Sequence, residues 1–180
     1  MRILWFAAPG KKYEEKAREY IREFWDNGSS IHGTSDLEHF LKNKTYEDWL
    51  IQLEENSDTS VRIPGRVNDA TFFYIREEDD TIIGMVNIRF GLNAFLFREA
   101  GHIGYSIRPT ERGKGYATQM LQEALGFCRL IGLSRVLVVC GKTNRASARV
   151  IEKCGGVMED EVVRERDGEI LQRYWIENGG

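Results

Sequence analysis

The sequence predicts an α+β fold, a mixed α/β sandwich with helices packed on a central sheet. Three observations carry that expectation. The first third of the chain reads as helices and the middle as antiparallel strands. The last third reads as strand, helix, strand, helix and hairpin, an order too irregular for a doubly wound parallel sheet. At 180 residues the chain has room for one domain with a full core. With 42% hydrophobic and 29% charged residues, it falls outside the disordered and fibrous classes.

The elements follow in order. The apolar run from Ile3 to Ala8 is shorter than the apolar core of a secretory signal and reads as a first strand. Tyr13, Ala17, Tyr20, Ile21, Phe24 and Trp25 form one stripe, which predicts a helix from about Lys11 to Trp25, stopped by Asn27-Gly28. Ser35 to Glu38 has the capping-box pattern ahead of a short helix through Leu41, and Thr45 to Asp48 repeats it ahead of Trp49. The polar stretch from Asn56 to Asp69 reads as a loop within the domain. Thr71–Arg76 and Ile82–Phe90 alternate as a hairpin around the acidic turn Glu77–Asp80. A loop follows from Gly91 to Ala100, then a strand from Gly101 to Arg108, ended by Pro109.

Ala117, Met120, Leu121, Ala124, Leu125, Cys128 and Ile131 give a second long helical stripe. The continuous apolar run from Arg135 to Cys140 suits a strand covered on both faces. Asn144 to Cys154 reads as a helix with Asn144 as its cap. Val162–Arg166 and Glu169–Ile176 read as a hairpin around Asp167-Gly168, a type I′ turn signal.

Lys and Arg number 25 against 28 Asp and Glu, a net charge of −3. That balance gives no support for non-specific nucleic-acid binding. No apolar run is long enough to suggest a membrane-spanning helix. Cys128, Cys140 and Cys154 sit among aliphatic residues without a CxxC or Cys/His cluster. They read as buried thiols of a reducing, cytoplasmic compartment, with no disulfide framework and no metal site.

The chemistry concentrates in Gly101 to Ala117. A strand passes through a Pro-marked turn into Arg112-Gly113-Lys114-Gly115-Tyr116-Ala117, and a helix follows. Two glycines let the backbone approach a ligand. The unpaired N–H groups of the helix start suit a phosphate or pyrophosphate, aided by the helix dipole, Arg112 and Lys114. A Walker A loop fails, because Val136 stands where the first glycine before Gly141-Lys142-Thr143 must be. A Rossmann loop fails at Thr118 and lacks an acid after Val139-Cys140-Gly141.

Arg112-x-x-Gly115-x-Ala117 after a strand resembles the acyl-CoA pyrophosphate loop, Gln/Arg-x-x-Gly-x-Gly/Ala, of the GNAT N-acetyltransferase superfamily. Asn144-x-x-Ser147 with Glu152-Lys153-Cys154-Gly155 resembles that superfamily's later motif. The specific matches span about Gly101 to Gly156. Within the superfamily the chain is most similar to a little-characterised bacterial group that shares the HIGYSIRP-type strand and the RYWI-type ending, here Arg173 to Ile176.

The resemblance implies a GNAT-like fold in one domain. Residues 1–70 would form the acceptor side, 71–158 the acetyl-CoA core and 159–180 a hairpin. Its central sheet would be mostly antiparallel, with two parallel strands, 101–108 and 135–140, splaying apart. It implies acetyl-CoA as co-substrate, with no metal, and an amine acceptor attacked without a covalent enzyme nucleophile. The pantetheine arm would lie along Tyr105, Ser106 and Ile107, and the pyrophosphate on the N–H groups of Arg112 to Ala117. A backbone N–H near Ile107 would polarise the thioester carbonyl. Asn144 and Ser147 would contact CoA.

His102 stands where many relatives carry a glutamate base, with Glu99 as the nearby carboxylate alternative. The usual tyrosine acid falls on Ile151, which leaves Ser147, Tyr105 or Tyr174 as hydroxyl candidates. Ser147 bonded back to a helix carbonyl is the plainer reading. Asn87, Arg89, Asn93 and Arg98 are candidates to line the acceptor site, and Phe95 and Phe97 to close it. The runs Glu77–Asp80 and Glu159–Glu161 are candidates to attract a cationic amine. Two other readings stay open: an acyl-CoA-binding sensor module without turnover, and a transferase of another acyl group. An exposed sheet edge or the last hairpin is available to pair two chains as a homodimer.

Overall fold

The computed structural model describes residues 3–61 and 64–179. Arg62 and Ile63, within the expected Asn56–Asp69 loop, lie outside the described residues. Seven strands form one sheet: β1 (Leu4–Ala7), β2 (Asp69–Arg76), β3 (Thr81–Arg89), β4 (Ile103–Ile107), β5 (Arg135–Gly141), β6 (Gly156–Val163) and β7 (Ile170–Glu177). The strand order is β1-β2-β3-β4-β5-β7-β6, and every neighbouring pair is antiparallel except β4 with β5.

Helices cover both faces, because alternation along the strands sends apolar side chains both ways. Phe73 and Ile75 point to the layer of α1 (Glu14–Asn27), α2 (Leu37–Asn43) and α3 (Tyr46–Ser57). Tyr74, Ile103 and Val138 point to α4 (Tyr116–Leu130) and α5 (Arg145–Lys153). Each face therefore has its own aliphatic and aromatic core. Among the described residues no helix is long and apolar enough to cross a membrane.

The expected α+β fold is observed, with local corrections. Gly28 ends α1 in the left-handed conformation, and Thr45 and Asp48 close the reciprocal capping box of α3. The expected box at Ser35 and Glu38 does not form. Asp36 caps α2 in the left-handed region without a side-chain bond, Ser35 Oγ bonds Thr71 Oγ1, and Glu38 takes the Thr34 hydroxyl. Partners on β2 outcompete the local cap. The expected 91–100 loop holds a π-helical turn, Leu96–Ala100, with the N–H of Gly101 donating to Leu96 O.

The last turn is longer than a type I′ turn. Gly168 has positive φ but Asp167 does not. The turn closes through Gly168 N–H to Arg164 O and through the Arg164 guanidinium on Asp167. Strand β6 accordingly begins at Gly156 and ends at Val163, earlier than its expected range of Val162–Arg166.

The sheet is split at its centre. Strands β4 and β5 share a single parallel register pair, Ile103 with Val138. The start of β4 is stapled to β5: His102 N–H donates to Leu137 O at 2.7 Å, and Leu137 N–H donates to His102 Nδ1 at 2.9 Å. Beyond that staple the two strands pair with β3 and β7 and no longer with each other.

Candidate functional site

The gap between β4 and β5 opens toward their C-terminal ends, and the Arg112–Ala117 loop lies just past the end of β4. Gly113 and Gly115 have φ of 74° and 84°. A Cβ at either would meet nothing within 4 Å, so glycine is required there by backbone conformation, with open space in front. The N–H groups of Gly113 through Thr118 find no acceptor in the described residues; the first helical bond of α4 runs from Gln119 to Gly115 O. Six successive free donors at a helix N-terminus are an arrangement that can take an anion, with the dipole adding to it.

The two cations of this loop do not face that site freely. Arg112 Nε donates to Ile107 O at 3.2 Å, its Nη1 donates to Ser29 Oγ, and its guanidinium lies over the Phe24 ring. Lys114 pairs with Glu111, which also takes Arg76. The groups left free at this loop are those of the backbone more than those of these side chains.

Along β4 the antiparallel ladder orients the backbone. Arg108 N–H donates to Ile83 O. Alternation then turns Ser106 and Gly104 toward β3, and the N–H groups of Tyr105 and Ile107 toward β5. Pairing with β5 has ended there, so these two donors face the gap. On the α1 face, Ser106 is buried: its hydroxyl donates to His32 O, and Tyr20 OH reaches Ser106 O at 3.0 Å. A Cβ at Gly33 would collide with the backbone of Gly104 and Tyr105, so the 29–36 loop lies directly on β4.

On the other face, Asn144 caps α5 by accepting from Ser147 N–H. The Ser147 hydroxyl forms no bond to a helix carbonyl; it lies 2.9 Å from Tyr105 OH. Tyr174 OH is turned to Gln172, and Ile151 is fully buried in the core. Burial raises the Tyr105 phenol well above its ordinary range and pushes the Cys140 thiol up to about 11, with the Ser147 hydroxyl acting in the opposite sense on both.

His102 is 5% exposed and stacks edge-on to Trp175. Burial first, and the nearby Arg89 charge second, lower its pKa to about 4. One ring nitrogen is committed to Leu137, and the neutral ring is a weak proton acceptor. Glu99, the carboxylate alternative, takes Glu165 N–H and lies near Arg98.

Because the folded pKa is depressed, the unfolded chain binds a proton at His102 that the folded protein refuses until about pH 4. This contribution to stability is whole above pH 6.5 and drains away as pH falls toward 4, by up to about 3 kcal/mol. His32, also lowered chiefly by burial, acts in the same sense. In His102→Asn, the amide oxygen accepts the same N–H without titrating. We expect that variant to weaken the fall in stability between pH 6.5 and 4 in denaturant titrations, with His32 leaving a residue. An unchanged slope would remove His102 from this account.

The candidate acceptor-side residues have structural partners. Asn87 is buried and donates to Asp69, Thr71 and Ser35, and Arg89 donates to Ala100 O and Gly101 O. Asn93 caps the π-helical turn at Leu96 N–H and holds Gly65 O. Arg98 reaches Val163 O, and Phe97 lies under Arg173 and beside Trp175, while Phe95 is exposed. Four carboxylates of the acidic runs are held in ion pairs: Asp79 by Arg76, Glu159 and Asp160 by Arg173, and Glu161 by Lys142.

Sequence reading missed Glu169. Its carboxylate, paired with Arg164, occupies the position a Cβ on Gly141 would take, over the end of β5. His32 lies within electrostatic reach of it. The only local signal was the glycine itself. A concavity of about 930 Å³, lined by Glu55, Arg66, Phe90 and Leu92 among others, lies beyond the opposite end of β3 and shares no residue with this site.

A sheet parted between two parallel strands, with a glycine turn of free N–H groups leading into the next helix, is the layout of an acyl-CoA-handling transferase. The profile of the "Acetyltransferase (GNAT) domain" matches residues 1–157, and the chain belongs to that family. GNAT enzymes use acetyl-CoA. No curated protein matches the chain.

Among solved structures it resembles the ribosomal-protein-S5-alanine acetyltransferase of Vibrio fischeri: 19% identity, TM-score 0.74, covering 99% of this chain and 97% of that one. It also resembles the microcin C7 self-immunity acetyltransferase MccE, solved with acetyl-CoA and AMP: 17% identity, TM-score 0.71, covering 96% and 91%. A spermidine N-acetyltransferase SpeG chimera from Vibrio cholerae and hSSAT follows at 16% identity and TM-score 0.64, covering 97% and 96%. At these identities the likeness is one of fold.

Proposed function

We propose that this protein transfers an acetyl group from acetyl-CoA to a primary amine, by direct attack in a ternary complex. The observation that carries the reading is the run of six free N–H groups from Gly113 to Thr118, beside a gap that opens between β4 and β5. The pyrophosphate would lie on the backbone of Arg112 to Ala117, with Gly113, Lys114, Gly115 and Tyr116 between them. The pantetheine arm would extend along Tyr105, Ser106 and Ile107, in effect a missing strand between β4 and β5. The N–H of Ile107 would face the thioester carbonyl. Asn144 and Ser147 would close the site from α5.

The acceptor would come from the α1 face, between the 29–36 loop, the π-helical turn and the β6–β7 hairpin. Residues 1–70 would thus form the acceptor side, 71–158 the acetyl-CoA core and 159–180 most of the hairpin. His102 fits a stapling role better than a proton-accepting one, for the reasons of burial and bonding given above. Glu169, at the mouth of the gap and near His32, is the better-disposed base. The three free thiols agree with a reducing, cytoplasmic setting.

A non-catalytic acyl-CoA-binding module is the second reading. It is favoured by Ile151, which fills a core position where relatives carry a tyrosine. Release of free CoA from acetyl-CoA, measured across polyamines, amino-acid amides and peptides with free N-termini, separates the two. Turnover above the amine-free rate with one class is expected. Tight acetyl-CoA binding with no turnover for any amine would leave the module reading. A parallel series of longer and carboxylated acyl-CoAs tests whether acetyl is the group transferred.

A further inference from the structure

Two of the hydroxyl candidates, the Tyr105 phenol of β4 and the Ser147 hydroxyl of α5, touch each other. Tyr105 projects from β4 onto the α4–α5 face and packs against that core. Its hydroxyl lies 2.9 Å from Ser147 Oγ, across 42 residues of sequence. Ser147 is itself held in the first turn of α5, because its N–H donates to Asn144 Oδ1. Ser147 also lies near Cys140, at the end of β5, closely enough to act on its thiol.

The polarity of this arrangement follows from chemistry. A phenol is a better donor than an aliphatic hydroxyl, and Ser147 Oγ is the phenol's hydrogen-bond partner among the described residues. If the phenol donates to Ser147, the serine keeps one proton to give. A neutral thiol such as Cys140 accepts it weakly, whereas a thiolate accepts it strongly.

We propose that Tyr105 is a positioning residue for the leaving group: by donating to Ser147 Oγ it aims the serine hydroxyl at the sulfur of CoA lying between β4 and β5. The proposal rests on the acetyl-CoA reading above. It supplies from strand β4 the phenol that the resemblance expects on α5, where Ile151 stands.

In the reaction one proton of the substrate ammonium passes to the base, assigned above to Glu169, before attack; the C–N bond forms, and the C–S bond breaks with its electron pair passing to sulfur. The second amine proton passes to solvent water as the tetrahedral intermediate collapses. Ser147 gives the thiolate a hydrogen bond and keeps its proton. Tyr105 remains a phenol throughout. The thiolate is protonated by water on release.

The test needs no acceptor: it is the titration of the CoA thiol in the binary complex, read by thiolate absorbance in the ultraviolet against CoA-free protein. The protein's own thiols do not interfere near neutral pH, since burial pushes Cys140 up to about 11 and Cys128 up to about 12 and raises Cys154. Bound CoA is expected to titrate below free CoA. Tyr105→Phe, which keeps the packed ring, is expected to move it back up by about half a unit to one unit. Ser147→Ala should move it at least as far, and the double variant no further than Ser147→Ala alone.

Wild-type titration in Tyr105→Phe, with CoA affinity retained, would overturn the proposal while leaving the acetyltransferase reading standing. A wild-type protein that binds no CoA would instead overturn that reading, and this inference with it.

Discussion

Gly115→Glu is expected to abolish acetyl-CoA binding while the protein stays folded. Gly115 has φ of 84° and caps α4 in the left-handed region. A residue with a Cβ is strained there by about 1–2 kcal/mol. The glutamate side chain would stand in open space, so it would not disturb the core. It would, however, set a carboxylate beside the free N–H groups of Gly113 to Thr118, the donors assigned here to the pyrophosphate. Loss of those contacts together with like-charge repulsion should weaken acetyl-CoA at least about 100-fold, or ~2.7 kcal/mol.

Isothermal titration with acetyl-CoA and CoA measures this, and a thermal melt checks the fold. Arg112→Ala should have a smaller effect, because that guanidinium is spent on Ile107 O, Ser29 and the Phe24 ring. Wild-type affinity in Gly115→Glu would dissociate the glycine loop from CoA altogether.

The second large effect falls on stability, at Trp49→Ala. Trp49 is fully buried, stacks on Phe73 with ring centroids 5.9 Å apart, and packs against Tyr46. Its Nε1–H is shared by the carbonyls of Thr34 and Ser35, each 3.0 Å away. Removing the ring costs about 3–5 kcal/mol through lost burial and the cavity left behind. Leaving carbonyls without their donor adds about 1 kcal/mol. Against a total stability of about 5–15 kcal/mol, the melting temperature should fall by roughly 10 °C or more.

The same tryptophan anchors the loop that lies on β4, so acceptor KM should rise in whatever Trp49→Ala protein remains folded. Trp49→Phe isolates the Nε1–H contribution from that of the ring. A melting temperature within a few degrees of wild type for Trp49→Ala would contradict this description of the core.

Much of the fold was legible because its signals are local. The helical stripe of α4, the Gly28 stop of α1, the Thr45–Asp48 cap and the Asn144 cap all rest on neighbours within four residues. The glycine loop was legible for the same reason: Pro109, Gly113 and Gly115 dictate their own backbone angles. The misreadings occurred where a distant partner won. Ser35 has the composition of a cap, but Thr71 on β2 takes its hydroxyl. Asp167-Gly168 has the composition of a two-residue turn, but the Arg164 ion pairs draw in a longer one.

The sequence alone therefore determined the α+β class, the order of elements, and a loop whose backbone is shaped for an anion. These follow from periodicity and from the conformations that glycine and proline permit. Tertiary structure alone decided the rest: that the Arg112 side chain folds back onto β4, and that His102 staples β4 to β5 from within the core. It also brought Glu169 over Gly141 and set the Tyr105 phenol against Ser147. Those contacts depend on strand order and register. Pairs across the parted sheet are set by how β4 and β5 meet at Ile103 and Val138 and then diverge, which no local pattern of residues encodes.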